Sequence, residues 1–317
     1  MYPLDMCADW QKGFDRHVLA RRLEGMKEVN PETGEMSFKG FSLRQMVTVL
    51  HSSFQFSEEM PEGHERGIIH RAIRSTAQTG KITPERLLRA IVKGEKSFAR
   101  VPRESFMLVT SLSAGHFKAL TSREVSGGTI TFDRYLPDPF GDEHEKARMI
   151  AEDQVIGQLP RLGANPMWSY VPTKISVRAR SHQEAFERAI DALDLLRGVW
   201  NLALNRNRGP RHSIGIRKPV NRLILGPIHS LHDPDGRLVD ESPWIEDDYV
   251  GALVTFNLVP DWEYVEEYEQ FVWQELSRIP YRQDLEASIR RYARALDRRD
   301  WNTSFVRLWG LLVASYS

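Results

Sequence analysis

The fold class that the sequence predicts is α+β: a helical N-terminal region, a mixed sheet with packed helices in the middle, and a helical C-terminal segment. Three observations predict it. Apolar residues recur at three- and four-residue steps through most of the N-terminal third. Between Ser105 and Arg180 the texture changes to β-branched and aromatic runs, broken by Gly127-Gly128 and Pro137. Helical spacing then returns from about Asp261 onward. Strands and helices do not alternate regularly enough for a doubly wound sheet, and there is no internal repeat. The expected segments are a helical region over 1–103, an α+β domain over 104–260 and a helical segment over 261–317.

Each element has a local cause. Trp10, Phe14, Val18, Leu19 and Leu23 place an amphipathic helix between Asp9 and Val29, ended by Asn30-Pro31-Glu32-Thr33-Gly34. Ser42 is a good N-cap for the next helix, with Leu43, Met46, Val47 and Leu50 inside, and another covers Glu65 to Ala77. Thr83-Pro84-Glu85 supplies an N-cap, a first-turn proline and a first-turn acid to a helix burying Leu87, Leu88, Ile91 and Val92. Ser105 to Ser111 and Thr129 to Tyr135 read as strands closed by Pro137 and Pro139; Glu143 to Val155 reads as a helix, and Trp168 to Arg180 as a strand. Ser181 caps the clearest helix, which runs to about Leu204 with Ala185, Phe186, Ala189, Ile190, Leu193, Leu196 and Trp200 on its inner face. Val220 to His232 is a strand interrupted at Gly226-Pro227, Asp233-Pro234-Asp235-Gly236 a turn, and Gly251 to Val259 a further strand. Helices over Asp261–Ile279, Gln283–Asp297 and Asn302–Tyr316 close the chain.

Composition narrows the function classes. A chain of 317 residues can bury one large core or two ordinary ones, and two are expected. Its 43 basic and 43 acidic side chains cancel, so nucleic acid would have to be held by a local patch and not by global attraction. Cys7 is the only cysteine, which excludes an internal disulfide framework and a multi-cysteine metal site, and points to a reducing, cytoplasmic setting. The N-terminus lacks a basic start followed by an apolar run, and no stretch of about 18 apolar residues occurs, so neither secretion nor membrane contact is expected.

The densest cluster of polar chemistry is Asn205-Arg206-Asn207-Arg208-Gly209-Pro210-Arg211-His212, followed by Arg217 and Lys218. Guanidinium groups on such a segment fork onto phosphate oxygens, so it reads as a solvated connector or as an anion- or RNA-binding loop. Arg206 and His212 also fit the R-x4-6-H spacing of HEPN ribonucleases, although Gly209-Pro210 between them breaks the helix start on which that pair is normally presented. A second basic feature follows Thr83: Arg86, Arg89, Lys93, Lys96 and Arg100 recur at three- and four-residue steps opposite the leucine face. It is either a solvated outer face or a surface for nucleic acid or an acidic partner.

Other motifs have structural explanations. His229-Ser230-Leu231-His232-Asp233 has metal-ligand residue types, but residues three apart on a strand point to opposite faces, and Asp233 and Asp235 suit a turn. His64-Glu65 and His70 miss the H-E-x-x-H spacing because Ile68 stands where the second histidine belongs. Gly94-Glu95-Lys96-Ser97 splits the Gly-Lys pair of a phosphate loop. The acids Asp261, Glu263, Glu266, Glu267 and Glu269 suit the first turns of a helix. No catalytic residue, metal site or cofactor is assigned.

The C-terminal helices carry two apolar stripes: Leu285, Ile289, Tyr292, Ala293 and Leu296, then Phe305, Leu308, Trp309, Leu312 and Tyr316. At roughly 1.5–3 kcal/mol per large side chain buried, this surface is expected either to pack on the sheet or to be covered by a protein partner or a second copy at Phe305, Leu308, Trp309 and Leu312. Here the sequence resembles a known family. Arg291-Tyr292-Ala293-Arg294-Ala295-Leu296-Asp297 with Phe305-Val306-Arg307-Leu308-Trp309-Gly310-Leu311-Leu312 looks like the opening helices of the ApeA-like HEPN proteins, a prokaryotic group associated with abortive infection against phage. Glu184-Ala185, Arg197-Gly198-Val199-Trp200-Asn201-Leu202 and Gly226-Pro227-Ile228-His229 are similar to the region ahead of that domain. The chain stops before the family's R-x4-6-H helices and has Val313-Ala314 where an acid and leucine are usual, so no catalytic residue carries over. The resemblance implies that 104–260 is a ligand-sensing domain and that the chain is the sensing or regulatory part of a HEPN-type defence protein, controlling a ribonuclease beyond or outside it. The alternatives are a stand-alone HEPN-like ribonuclease using Arg206 and His212, or a non-enzymatic RNA-binding protein.

Overall fold

The computed structural model describes residues 8–29, 36–38, 40–56, 60–115, 122–133, 135–154, 170–206, 219–240, 242–246, 255–297 and 301–314. Chain contacts divide it into two compact units, Met1–Pro102 and Arg103–Ser317. In the first, helices α1 (Arg16–Met26), α2 (Gly40–His51), α3 (Glu62–Gln78) and α4 (Pro84–Ala99) enclose Leu23, Leu50, Ile69, Ile73, Leu87 and Ile91. The Asp15 carboxylate caps α1, and the Thr83 hydroxyl caps α4 by accepting from the Arg86 N–H. At Gly94 the third and fourth helices come so close that a Cβ would stand 2.7 Å from Ile68 Cγ2. That glycine serves packing, and its neighbour Glu95 is buried, accepting from the Ala8 N–H at 2.6 Å. Four short strands, β1 (Asp9–Trp10), β2 (Lys27–Val29), β3 (Met36–Phe38) and β4 (Phe54–Gln55), form two ladders, β1 with β4 and β2 with β3. They are too short for a period of two to show in the sequence.

The second unit is α+β. Strands β5 (Glu104–Leu112), β6 (Arg123–Val125), β7 (Gly128–Phe132), β8 (Val171–Ala179), β9 (Ile228–His232) and β10 (Trp244–Ile245) form one sheet in the order β10-β9-β5-β8-β7-β6. Helices α5 (Phe140–Gln154), α6 (His182–Asn205), α7 (Trp262–Arg278), α8 (Arg282–Leu296) and α9 (Trp301–Ala314) complete the unit. All neighbouring strands pair antiparallel, so the sheet expected as mixed is antiparallel in every described ladder. The reason is topological. Helix α6 joins β8 and β9, which run the same way, but β5 lies between them, so each meets an opposite neighbour. Of the expected strand from Gly251 to Val259, residues 251–254 lie outside the described residues, and Phe256 contributes an isolated bridge to Ala114. The boundary expected near Pro260 falls inside this unit, because α6 packs against both the sheet and the closing helices. Among the described residues no helix is long and apolar enough to cross a membrane.

Alternation along the strands sorts the two faces. Phe106, Leu108, Leu112, Ile130, Ile175 and Val177 meet Ala189, Leu193, Leu196 and Trp200 of α6 in the main core. On the opposite face α5 crosses β9, where His144 Nδ1 lies 2.7 Å from Ser230 Oγ, Ser230 Oγ 2.8 Å from His232 Nε2, and His232 Nδ1 2.9 Å from the Gly236 carbonyl. A carbonyl only accepts, so His232 carries its proton on Nδ1, the Ser230 hydroxyl donates to the bare Nε2, and His144 Nδ1–H donates to Ser230. All members of this chain are satisfied with both rings neutral. His229 points the other way, its Nδ1 2.7 Å from Thr110 Oγ1 and its ring edge-on to Phe186. The histidines three apart thus face opposite sides, as strand geometry requires.

Burial, with His232 beside it, pushes His144 down to about 4, and burial, reinforced by His144, pushes His229 down to about 3. In the unfolded chain both titrate near 6.5. Below that value the unfolded state binds protons that the native state refuses, so stability is complete above about pH 6.5 and declines as pH falls toward 4. The urea midpoint is expected to drop between about pH 7 and about pH 5, above the range where carboxylates titrate. A midpoint unchanged across that interval would contradict burial of neutral rings.

Candidate functional site

At the end of the sheet where β5 begins, a cleft of about 430 Å³ is lined by Arg103, Glu124, Gly127, Gly128, Thr129, Ser176, Arg178 and Arg188. Gly127 turns the β6–β7 hairpin with φ +98°, and a Cβ on Gly128 would lie 2.7 Å from the Ser176 carbonyl oxygen. The hairpin therefore rests directly on β8, and Gly128 has no room for a side chain of its own. Arg103 precedes β5, Arg178 lies near the end of β8, and Arg188 sits in the second turn of α6, paired with buried Glu184 at 2.9 Å. Nε of Arg103 is buried and has no hydrogen-bond partner among the described residues. Among the described residues three guanidinium groups, that of Arg188 already paired with Glu184, line the cleft with the Glu124 carboxylate, whose Oε1 accepts from the Thr129 hydroxyl at 2.9 Å. Among the described residues no imidazole or amine lines the cleft beside Ser176 and Thr129, and its guanidinium groups have the fork geometry that suits an anion.

Helix α6, about 36 Å long at 1.5 Å per residue, leads from this cleft to a buried polar junction with α8. Arg197, with none of its side chain exposed, donates from Nη1 and Nη2 to the two oxygens of Asp297 at 2.9 and 2.7 Å and from Nε to Asp194 Oδ1 at 2.7 Å. The second Asp194 oxygen accepts from Arg294 Nε at 2.5 Å, and Arg294 also reaches Asp191. Asn221 Nδ2 bridges Asp297 Oδ1 and the Ala293 carbonyl, each at 2.7 Å, while Asn205 Nδ2 donates to Asn221 Oδ1 at 3.0 Å. Asn201 accepts from the Arg222 and Leu223 N–H groups and donates to the Leu223 carbonyl. Close approach is possible because Gly198 faces α8: a Cβ there would meet Ile289 Cγ2 at 2.7 Å and the Ile289 carbonyl at 3.0 Å. A second junction joins α6 to α7, where buried Glu269 accepts from Trp200 Nε1 at 2.8 Å and Trp273 Nε1 at 3.1 Å. Arg123 of β6 adds ion pairs to Glu266 and Glu269.

The sequence reading passed over Asp194, quoted Arg197 and Asn201 only within a family resemblance, and placed Asn205 in the basic segment and not at a buried junction. The signal was present, since their spacing marks a polar stripe on one side of a helix whose other side is apolar. The expected candidates are distributed differently. Arg206 ends the described part of the basic segment with its guanidinium 3.7 Å from the centre of the Tyr264 ring, whereas Arg208, Arg211, His212, Arg217 and Lys218 lie outside the described residues. On α4, Arg86 is spent locally, its guanidinium donating to the Lys81 and Thr79 carbonyls and the Thr79 hydroxyl. Arg89, Lys93 and Lys96 stay exposed on one outward face. Phe305 and Trp309 are 64% and 59% exposed with rings stacked at 6.3 Å, joined by Val306 at 67%. Leu308 differs from the expected ridge in being partly buried, and the Leu312 side chain lies outside the described set. Among the described residues no group of three or more histidine, cysteine or acidic side chains is placed to hold a metal ion.

Comparison with protein-family models, with curated proteins and with solved structures found no match to this chain.

Removing one partner of a buried ion pair strands the other charge. Asp297→Ala is expected to lower stability by about 3–5 kcal/mol, and Gly198→Val by about 1–3 kcal/mol through overpacking against Ile289. Both are read from urea denaturation; losses below about 0.5 kcal/mol would show that the junction does not hold α6 to α8.

Proposed function

We propose that this chain is the sensing and regulatory part of a HEPN-type anti-phage defence protein: it binds a phage or cellular ligand and controls a ribonuclease carried beyond or outside the chain. The observation that carries the reading is the shared helix. One rigid element, α6, contributes Arg188 to an anion-binding cleft and Arg197 to the junction with α8, onto which α9 packs. A ligand neutralising the arginines of the cleft would act on the same body that positions the closing helices.

Those helices present surfaces suited to a protein partner. Phe305, Val306 and Trp309 form an exposed apolar ridge on α9. Between α7 and α8 an apolar groove of about 470 Å³ is lined by Leu202, Phe271, Leu276, Tyr281, Leu285 and Ile289. Aromatic residues on such a ridge are typical anchors of a protein–protein contact. The resemblance of Arg291 to Asp297 and Phe305 to Leu312 to the opening of a HEPN domain supplies the kind of partner, a helical ribonuclease region.

The test uses cells carrying the native locus, challenged with phage. Phe305→Asp combined with Trp309→Asp changes exposed positions only, and circular dichroism checks that the fold is kept. The wild type is expected to protect the culture with loss of cellular RNA, and the double variant to lose both. Protection by a folded double variant, or challenge without any RNA loss in the wild type, overturns the reading.

A further inference from the structure

The first unit contains a larger recess than the cleft described above. It has a volume of about 710 Å³ and lies between α2, α3 and β3. One wall is a row on α3: Arg66, His70 and Arg74 stand one helical turn apart, so the row spans about 12 Å. Arg44 of α2 faces the same space. Among the described residues no carboxylate lines it. Glu62 pairs with Arg66 across one turn of α3 at 2.5 Å, whereas Arg44 and Arg74 have no carboxylate partner among the described residues. In a chain with equal numbers of acids and bases, such a cluster is, among the described residues, a local excess of positive charge that suits an anion.

The floor is apolar. Leu43 and Val47 are buried there, and half-buried Phe38 offers an aromatic edge. A small inorganic anion would use the guanidinium groups and leave this surface wet. A fatty acid would use the floor and need one cation, not three spread along the recess. A flat heterocycle joined to phosphate groups uses both, with guanidinium forks on phosphate oxygens and the ring on Phe38 and Val47. The volume lies within the roughly 300–1,000 Å³ usual for such ligands.

We propose that the recess formed by Arg44, Arg66, His70, Arg74, Phe38 and Val47 is a binding site for nucleotide phosphates. It stands apart from the regulatory reading, since the recess lies wholly in the first unit. The state of His70 agrees with it: burial first, then the neighbouring Arg74 and Arg71 charges, hold its pKa below 6.5. The imidazole is therefore neutral at pH 7 and can hydrogen-bond a phosphate without adding repulsion. A bound phosphate reverses part of the arginine field and raises that pKa.

Calorimetry on the full chain decides the matter, with ATP, GTP, CTP, UTP, a 5′-phosphorylated RNA trinucleotide and inorganic pyrophosphate as probes. Saturable binding of at least one nucleotide probe, tighter than pyrophosphate and weakened by salt, is expected. Arg44→Gln with Arg74→Gln should weaken it about tenfold or more. Phe38→Ala should weaken the nucleotide and leave pyrophosphate unchanged. His70, followed by NMR, should titrate higher when the probe is bound. Tightest binding of the trinucleotide identifies an RNA strand as the source, and tightest binding of a mononucleotide a free nucleotide; either supports the site. No nucleotide binding, pyrophosphate binding as tightly, or binding indifferent to the double arginine variant overturns it.

Discussion

Arg197 carries a full charge with none of its side chain exposed to water, and much of the second unit is arranged to make that tolerable. An ion taken out of water recovers its solvation only from partners in good geometry, so the carboxylates of Asp194 and Asp297 must stand where its nitrogens point. Both carboxylates are themselves buried, and their remaining lone pairs are taken by Arg294 and Asn221. Because these partners come from three different stretches of chain, the junction fixes α6, α8 and the 219–223 segment together. Gly198 is the steric counterpart, since the short distance that the ion pair needs would be refused by any side chain against Ile289.

The two sides of α6 consequently behave differently. Towards the sheet, Leu193, Leu196 and Trp200 make apolar contacts, which are non-directional and tolerate small shifts. Towards α8 the contacts are directional, and sliding the helix by one turn would separate buried charges in a medium that screens them poorly. A helix held in this way moves with α8 and not past it. Glu269, shared by Trp200 and Trp273, gives the same property to the contact with α7. In the regulatory reading, this stiffness is what lets a change at Arg188 reach the closing helices.

The basic features show how far residue spacing carries. The row on α4 could be recognised because its members lie on one element, and Arg89, Lys93 and Lys96 do share an exposed face. Arg86 shares that spacing, yet it is drawn off by the Thr79 and Lys81 carbonyls, acceptors that only the loop geometry brings within reach. The recess of the first unit needed more. Arg66, His70 and Arg74 have helical spacing in the sequence, but their meaning depends on Arg44 from another helix and Phe38 from a strand too short to announce itself. Likewise the cleft in the second unit gathers arginines separated by 75 and 10 positions, and Gly127-Gly128, legible as a turn, gave no hint of the β8 backbone beneath it.

By itself the sequence determined the local order: the caps at Ser181 and Thr83, the turn at Gly127-Gly128, the apolar face of α6, the helical start and end of the chain and the α+β class. These follow from interactions among residues close in the chain, where spacing alone decides which side chains share a face. Tertiary structure decided the rest. It placed β5 between β8 and β9 and so made the sheet antiparallel, buried the polar side of α6, and left Phe305 and Trp309 exposed while turning Leu308 partly inward. The physical reason is common to all three. Whether a polar or apolar side chain is buried depends on the partner that desolvates it, and for Arg197 that partner stands 100 residues away at Asp297.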